Sequence, residues 1–454
     1  MSTHPSDHEI ESIAGWMIEA SLARGAVMAD VLYSSGDATH FSLRDGSPER
    51  DTRGSSFRIG CRVIDGEGRQ GVADMNALSR DELEKMLEIC LQNCQASEPE
   101  TDVALYKGKP PEGGGPVIFD PDREKVSHPE REARCMEMHR IASEIDKRVV
   151  SVRDTSWADG SGKTLYATSE GFLGWYEDTY AACSVTVVMS EGESFEMAGS
   201  GAESRKVGIL DHSLVARESV ERAALTLGGS PLPTGVYDIV LDPEAAASLV
   251  ESVGELFLAS SVFKQRSLLK DRMGEKVGSG CLTIVDDGTL PWGLGSSPWD
   301  GEGVPTGRTV ILEKGKVSSF LYNLKYANKF GVPSTGNASR SPGSLPGVGF
   351  SNLFVEPGER SHADILRGSG GRVLVTELMG VHTIDPVSGD FSLGIKGALI
   401  ESDGMPRRPV TGMTVAGNLV DLLGSINEIG RDLRFFGDIG GCTMLVRDVS
   451  MAGS

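Results

Sequence analysis

Histidine is scarce in this chain, with eight in 454 residues and none between positions 213 and 361. Imidazole supplies most ligands of catalytic zinc sites, so a metal centre in that stretch would have to rely on other donors. Long apolar runs are also missing. No window approaches the roughly 18 unbroken apolar residues of a membrane helix, and "MSTHPSDHEI" lacks the basic start and apolar centre of a signal peptide. A soluble, cytoplasmic protein with no membrane partner is expected. Positive charge is outnumbered, 44 Lys and Arg against 65 Asp and Glu, for a net charge of -21. Such a field repels phosphate backbones, which argues against nucleic acid as a partner. Cysteine is present in an odd number, seven, scattered along the chain. Reduced thiols are the simpler reading than a disulfide framework.

The length and the 39% hydrophobic content suffice for two cores. Residues 9–27 carry apolar side chains at helical spacing, and the alternating segments "ADVLYSS", "HFSLRDG" and "SSFRIGCRVIDGEGRQGVADM" follow, the last turning at Asp65 to Gly68. "SRDELEKMLEICLQNCQ" is helical, with Ser79 as N-cap and Glu82 completing a capping box. Residues 95–126 read as an irregular connection. A helix over 128–147 leads into a meander that ends near Ser200. "GGSPLPTG" at 228–235 cannot continue either period, so a boundary is placed there: an N-terminal α+β domain over 1–230 and a β-rich domain over 231–454, closed by helices. Beyond it come a strand, "VYDIVLD", then a helix carrying "LVESVGELF", then many short strands turning at glycines. Apolar residues at 419, 422, 423, 426 and 429 predict one last helix. Helices and strands are segregated rather than alternating, which indicates an α+β fold.

Few residue groups carry chemistry. His4 and His8 share helical spacing, but Pro5 lies between them in a terminal segment. Cys90 and Cys94 lie on one helix face and suit core packing better than zinc, which two thiolates leave short of ligands. Cys442 after two glycines and His382 in a Gly/Asp loop would make a nucleophile and base only if folding joins them. "GSGGR" at 368–372 and "GVPTGR" at 303–308 lack the spacing of a phosphate loop, and Asp385 and Asp390 in "DPVSGDFS" suit tight turns as well as a cation.

Three long stretches resemble a known family. "TELMGVHTIDPVSGDFSLGIKGALIESDG" with "PVTGMTVAGNLVDLLGSINEIGRDL", and "GEGVPTGRTVILEKGKVSSFLYNLKYANKFGVPSTGNASR" with "LYATSEGF", are similar to the TldD/PmbA peptidases. The resemblance implies a two-domain α+β protein that pairs with a related subunit. It also implies action on unfolded or short peptides, and zinc held in the TldD-like partner by a His-Glu-x-x-x-His helix and a cysteine. In this chain that helix motif falls on "VESVGE": Glu251 and Gly254 agree, while Val250 and Glu255 stand where histidines are expected. Thr443 follows Cys442, so the context of the family's zinc cysteine is missing as well. The resemblance therefore implies a TldE (PmbA)-like subunit without metal or other cofactor of its own. Its partner would be a zinc-bearing TldD-like homologue in a heterodimer, or a second copy in a homodimer. Glu251, His382 and Cys442 are the remaining catalytic candidates. Two rival readings are an autonomous hydrolase using Cys442 and His382, and a regulatory binding protein matching the family's older label of DNA gyrase modulator.

Overall fold

The computed structural model describes residues 5–368 and 370–453. The first half is built on an antiparallel sheet of long strands: β1 (Met28–Arg44), β2 (Ser47–Ile64), β3 (Gln70–Met75), β4 (Val149–Thr168), β5 (Leu173–Glu191) and β6 (Ser194–Ser204), in the order β3-β2-β1-β4-β5-β6. The segments "ADVLYSS" and "HFSLRDG" prove to be one strand. They run on through Gly36, where a Cβ would lie 2.5 Å from the Ser161 carbonyl oxygen of β4. Asp45 and Gly46, both at positive φ, then turn the chain in a two-residue hairpin between the paired Arg44 and Ser47.

One face of this sheet is covered by helices α1 (Asp7–Ala23), α2 (Arg80–Ala96), α3 (His128–Ile145) and α4 (His212–Thr226). Because side chains alternate along a strand, Val31 and Tyr33 of β1 pack beneath α1 and α2, and Phe41 and Leu43 beneath α3. Leu32 turns to the opposite face with Tyr166, and meets Trp299 of the second half. The turn at Asp65 to Gly68 forms as expected. The box at Ser79 forms only in part, since the Ser79 hydroxyl binds the Glu82 carboxylate instead of a helix N–H. At α3 the Glu130 carboxylate does reach back to the Ser127 N–H, at 2.7 Å.

The second half opens with β7 (Gly235–Leu241) and α5 (Pro243–Gly254). Strands β8 (Ile284–Asp287), β9 (Arg308–Glu313), β10 (Lys316–Val317), β11 (Ala338–Ser339), β12 (Gly347–Val348) and β13 (Leu353–Val355) follow. They are succeeded by β14 (Val373–Met379), β15 (Asp390–Ile400), β16 (Pro406–Asn418), β17 (Ile426–Ile429), β18 (Arg434–Phe436), β19 (Ile439–Gly441) and β20 (Met444–Gly453). One sheet runs β16-β15-β14-β7-β20-β17, and pairing of β16 with β20 closes it into a barrel; a second runs β10-β9-β8-β13-β19-β18. Helix α5 packs between them, in a core that includes Leu241, Val250, Phe257, Ile284, Leu353, Val375 and Met444.

The helix predicted over 419–429 breaks in two. Leu419–Gly424 is helical, but Ile426–Ile429 becomes β17 and pairs with Met444–Val446 of β20. Leu419, Leu423, Ile426 and Ile429 are all buried, so the apolar positions are right and the period is wrong. The edge of β20 offers hydrogen bonds that outweigh local helical spacing.

Candidate functional site

Helix α5 is the natural place to look, because it starts at the end of a central barrel strand and carries the candidate motif. Asp242 caps it, accepting the Ala245 N–H at 2.8 Å, and Pro243 occupies the first turn. Burial pushes the Asp242 carboxyl up to about 6, opposed by Arg222, whose guanidinium lies 3.2 Å away. Ala246, Leu249, Val250 and Val253 form the buried stripe. Val250 is 2% exposed within the core, whereas Glu251 and Glu255 are on the solvent side. Val250 lies within α5, whereas Glu255 caps its end and begins a tighter turn over Glu255–Phe257. Desolvation, then the Glu251 charge, raises the Glu255 carboxyl above its ordinary value. A Cβ at Gly254 would lie 2.3 Å from Leu353 Cδ2 and 3.0 Å from Phe350 Cζ, so the close packing of α5 there requires glycine.

Cys442 sits at the other end of the helix. The strand before it presses on the first turns of α5, as a Cβ at Gly441 would lie 2.0 Å from the Pro243 carbonyl oxygen. From Ala247 to Glu255 is roughly 12 Å along the axis. The Cys442 thiol is 0% exposed, with Sγ 3.7 Å from the Val355 carbonyl oxygen, and burial pushes it up to about 12. A thiol held neutral and out of solvent is a poor nucleophile. His382 occupies an exposed turn between β14 and β15, and no hydrogen bond joins it to Cys442.

Other sequence candidates have local roles. His8 is exposed in the first turn of α1, and His4 lies outside the described residues. Cys90 Sγ binds the Gly71 and Cys61 carbonyl oxygens at 3.1 Å, and Cys94 the Arg69 carbonyl oxygen at 3.0 Å. Asp385 accepts the Val387 N–H at 2.8 Å, and Asn418 binds Asp390 at 3.0 Å, so both carboxylates shape the turn. "GSGGR" includes Ser369, which lies outside the described residues, and "GVPTGR" leads into β9. Among the described residues no three His, Cys, Asp or Glu side chains converge as metal ligands would.

Two arrangements had no sequence signal. Thr443 Oγ1 donates to Asp432 at 2.6 Å and lies 2.7 Å from His362 Nδ1. Its single proton goes to the carboxylate, so His362 must be the donor in the second bond. A buried threonine already bound to a carboxylate is not activated by that ring. The second arrangement is a buried ion network across the two halves. Asp30 receives Arg62 Nε at 2.8 Å, lies 2.7 Å from Arg340 Nη2, and accepts from the Tyr166 hydroxyl at 3.2 Å, with Glu302 3.9 Å from Arg62. Burial opposes ionisation of Asp30, but the charges of Arg340 and Arg62 prevail and hold its carboxyl below the usual value. A cavity of about 440 Å³ adjoins this network between the halves.

The profile of the PmbA/TldA metallopeptidase C-terminal domain matches residues 234–453, that of the central domain matches 121–227, and that of domain 1 matches 29–94. The chain belongs to the PmbA/TldD metallopeptidase family. A metalloprotease of Methanocaldococcus jannaschii is 26% identical, over 93% of this chain and 96% of its own. Metalloprotease PmbA of Escherichia coli is also 26% identical, over 94% and 92%. A Bacteroides thetaiotaomicron protein, assigned as a modulator of DNA gyrase, superposes with a TM-score of 0.89 at 26% identity, covering 99% of this chain and all of that one. TldE from Thermococcus kodakarensis shares the fold, with a TM-score of 0.87 at 22% identity over 98% of this chain and all of its own.

A PmbA/TldD metallopeptidase calls for a metal, and the residues of α5 on which the resemblance sets the motif do not fit one. Valine offers no lone pair and Val250 points into the core. Glu251 and Glu255 supply carboxylates without imidazoles, and the Cys442 thiol is buried and neutral near the opposite end of α5. Catalytic zinc needs three protein ligands and an open position.

Proposed function

We propose that this chain is the TldE (PmbA)-like, metal-free subunit of a zinc metallopeptidase complex acting on unfolded or short peptides. The zinc would be held by a TldD-like partner that carries the histidines. The observation that carries this reading is the burial of Val250: the first ligand position of the motif has become part of the core. Glu251, which would otherwise serve a metal-bound water, has no such water to deprotonate. Peptide capture by strand addition is supported by the sheet edges, namely β6 and the exposed stretch of β2 over 47–56, since β3 pairs with β2 only from Ile59 onward. All seven cysteines are free, which supports a reducing compartment such as the cytoplasm. No helix among the described residues is long and apolar enough to cross a membrane. The charge of -21 disfavours direct DNA contact.

The test is metal analysis of the purified chain, alone and co-purified with a histidine-bearing homologue, together with cleavage of an unfolded peptide. Zinc and cleavage are expected only in the mixed preparation. One equivalent of zinc in the chain alone, or cleavage by it, would overturn the proposal.

A further inference from the structure

One charged residue of the cavity between the halves has most of its hydrogen bonds unmade. The floor is the sheet face opposite the helices, at Ser34 of β1, Thr164 of β4 and Tyr176 of β5, and Arg340 of the second half contributes to the wall. A guanidinium carries five N–H bonds. Arg340 Nε donates to the Ser344 carbonyl oxygen at 3.2 Å, whereas both Nη atoms are buried and make no hydrogen bond among the described residues. Nη2 lies 2.7 Å from Asp30 Oδ1, which brings opposite charges together without hydrogen-bond alignment, and that oxygen is left unbonded too. Asp30 gives its other oxygen to Arg62 and Tyr166. Buried donors are seldom left unmade in folded proteins, so these call for a partner.

The rest of the wall narrows the choice. Asp300 accepts the N–H groups of Glu302, Val304 and Ala338, and burial, with the nearby Glu302 charge, pushes it up to about 8, which leaves it largely uncharged at neutral pH. Behind the wall, Arg62 and Arg340 face Asp30, which they hold ionised, and Glu302, which burial raises. Positive charge therefore prevails at this end of the cavity. Hydroxyls that could serve peptide amides are spent internally: Ser297 donates to the Trp299 carbonyl oxygen, Thr306 to that of Ser297, and Thr164 is bonded to the Tyr176 hydroxyl. At the floor β1 and β4 are paired on both sides, so neither offers an edge.

We propose that this cavity binds a small, non-peptide molecule with an anionic head, a carboxylate or a phosphomonoester, which pairs with Arg340 while its apolar body lies against Tyr176, Trp299 and Phe350. The planar guanidinium suits either head, since both present two oxygens to its fork. A volume of about 440 Å³ exceeds what a lone inorganic ion needs and leaves room for the body. The inference goes beyond the peptidase-subunit reading and requires neither zinc nor a partner chain.

The test is calorimetric titration of the full chain at neutral pH with benzoate, phenyl phosphate and benzamide, the uncharged analogue of benzoate. At least one of the two anions should bind tenfold or more tighter than benzamide, and the tighter of the two assigns the head as carboxylate or phosphate. Ser339→Trp, which fills the exposed rim, should weaken that anion at least tenfold with an unchanged circular dichroism spectrum. Arg340→Lys, which keeps the charge and loses the fork, should weaken it at least threefold. Ser339 lies outside the ion network, so its variant decides the matter even if Arg340→Lys does not fold. Benzamide binding as tightly as both anions, parent-like anion binding by folded Ser339→Trp, or no anion binding at tens of millimolar would each overturn the proposal. So would tenfold tighter binding of the tripeptide Ala-Ala-Phe, with its C-terminus free, than of either anion. None of these results bears on where the zinc resides, so this inference and the subunit assignment can fail separately.

Discussion

Replacing Val250 by histidine would put an imidazole where the proposed reading sets the first letter of the metal motif, and the core should punish it. Val250 is 2% exposed among Leu249, Val253 and Leu353, so the change forfeits about 1.5–3 kcal/mol of apolar burial. An imidazole left without partners there adds about 1–3 kcal/mol. The expected loss is about 3–5 kcal/mol, a large part of the 5–15 kcal/mol typical of a folded domain. Urea unfolding at pH 8 measures it. Burial would depress the new histidine below its unfolded value of about 6.5, so the unfolded state binds the proton more readily and stability falls further as pH drops. At pH 5.5 the additional loss approaches about 1.4 kcal/mol. Glu255→His, on the exposed side, should change stability by no more than about 0.5 kcal/mol. Combining the two should not create a stoichiometric zinc site, because catalytic zinc needs three protein ligands and the Cys442 thiol stays buried near the opposite end of the helix. A double variant as stable as the parent that takes up one equivalent of zinc would refute this account of the helix.

The ion network across the halves predicts that Arg340→Met, which leaves Asp30 buried with Arg62 alone, costs about 3–5 kcal/mol in urea unfolding. A loss under about 1 kcal/mol would mean that the pair is not held as described. Under brief native alkylation read by mass spectrometry, the exposed Cys281 should be modified well before the six buried cysteines, Cys442 among them. Comparable rates would revive Cys442 as a reactive thiol.

Much of the architecture was written locally. The strand alternation of β1 and β2, the Asp65–Gly68 turn, the helix over 128–145 and the break at 228–235 each depend on residues within a few positions of one another. The same holds for the candidate site: the absence of histidine at 250 and 255 is visible in the sequence itself. What the chain alone did not reveal depends on partners distant in sequence. Residues 426–429 have helical spacing, yet become a strand because β20, some 18 positions onward, offers an edge. Gly36 gives no hint of the Ser161 backbone that requires it. Asp30, Arg62, Tyr166, Glu302 and Arg340 are spread over more than 300 positions, and only the packing of the two halves joins them. The sequence by itself determined the periodicities, the turns and the residue types along α5, because those are short-range properties. The tertiary structure alone decided which side of α5 faces the core, which charges pair and where a cavity opens between the halves, because burial and ion pairing depend on distance in space rather than along the chain.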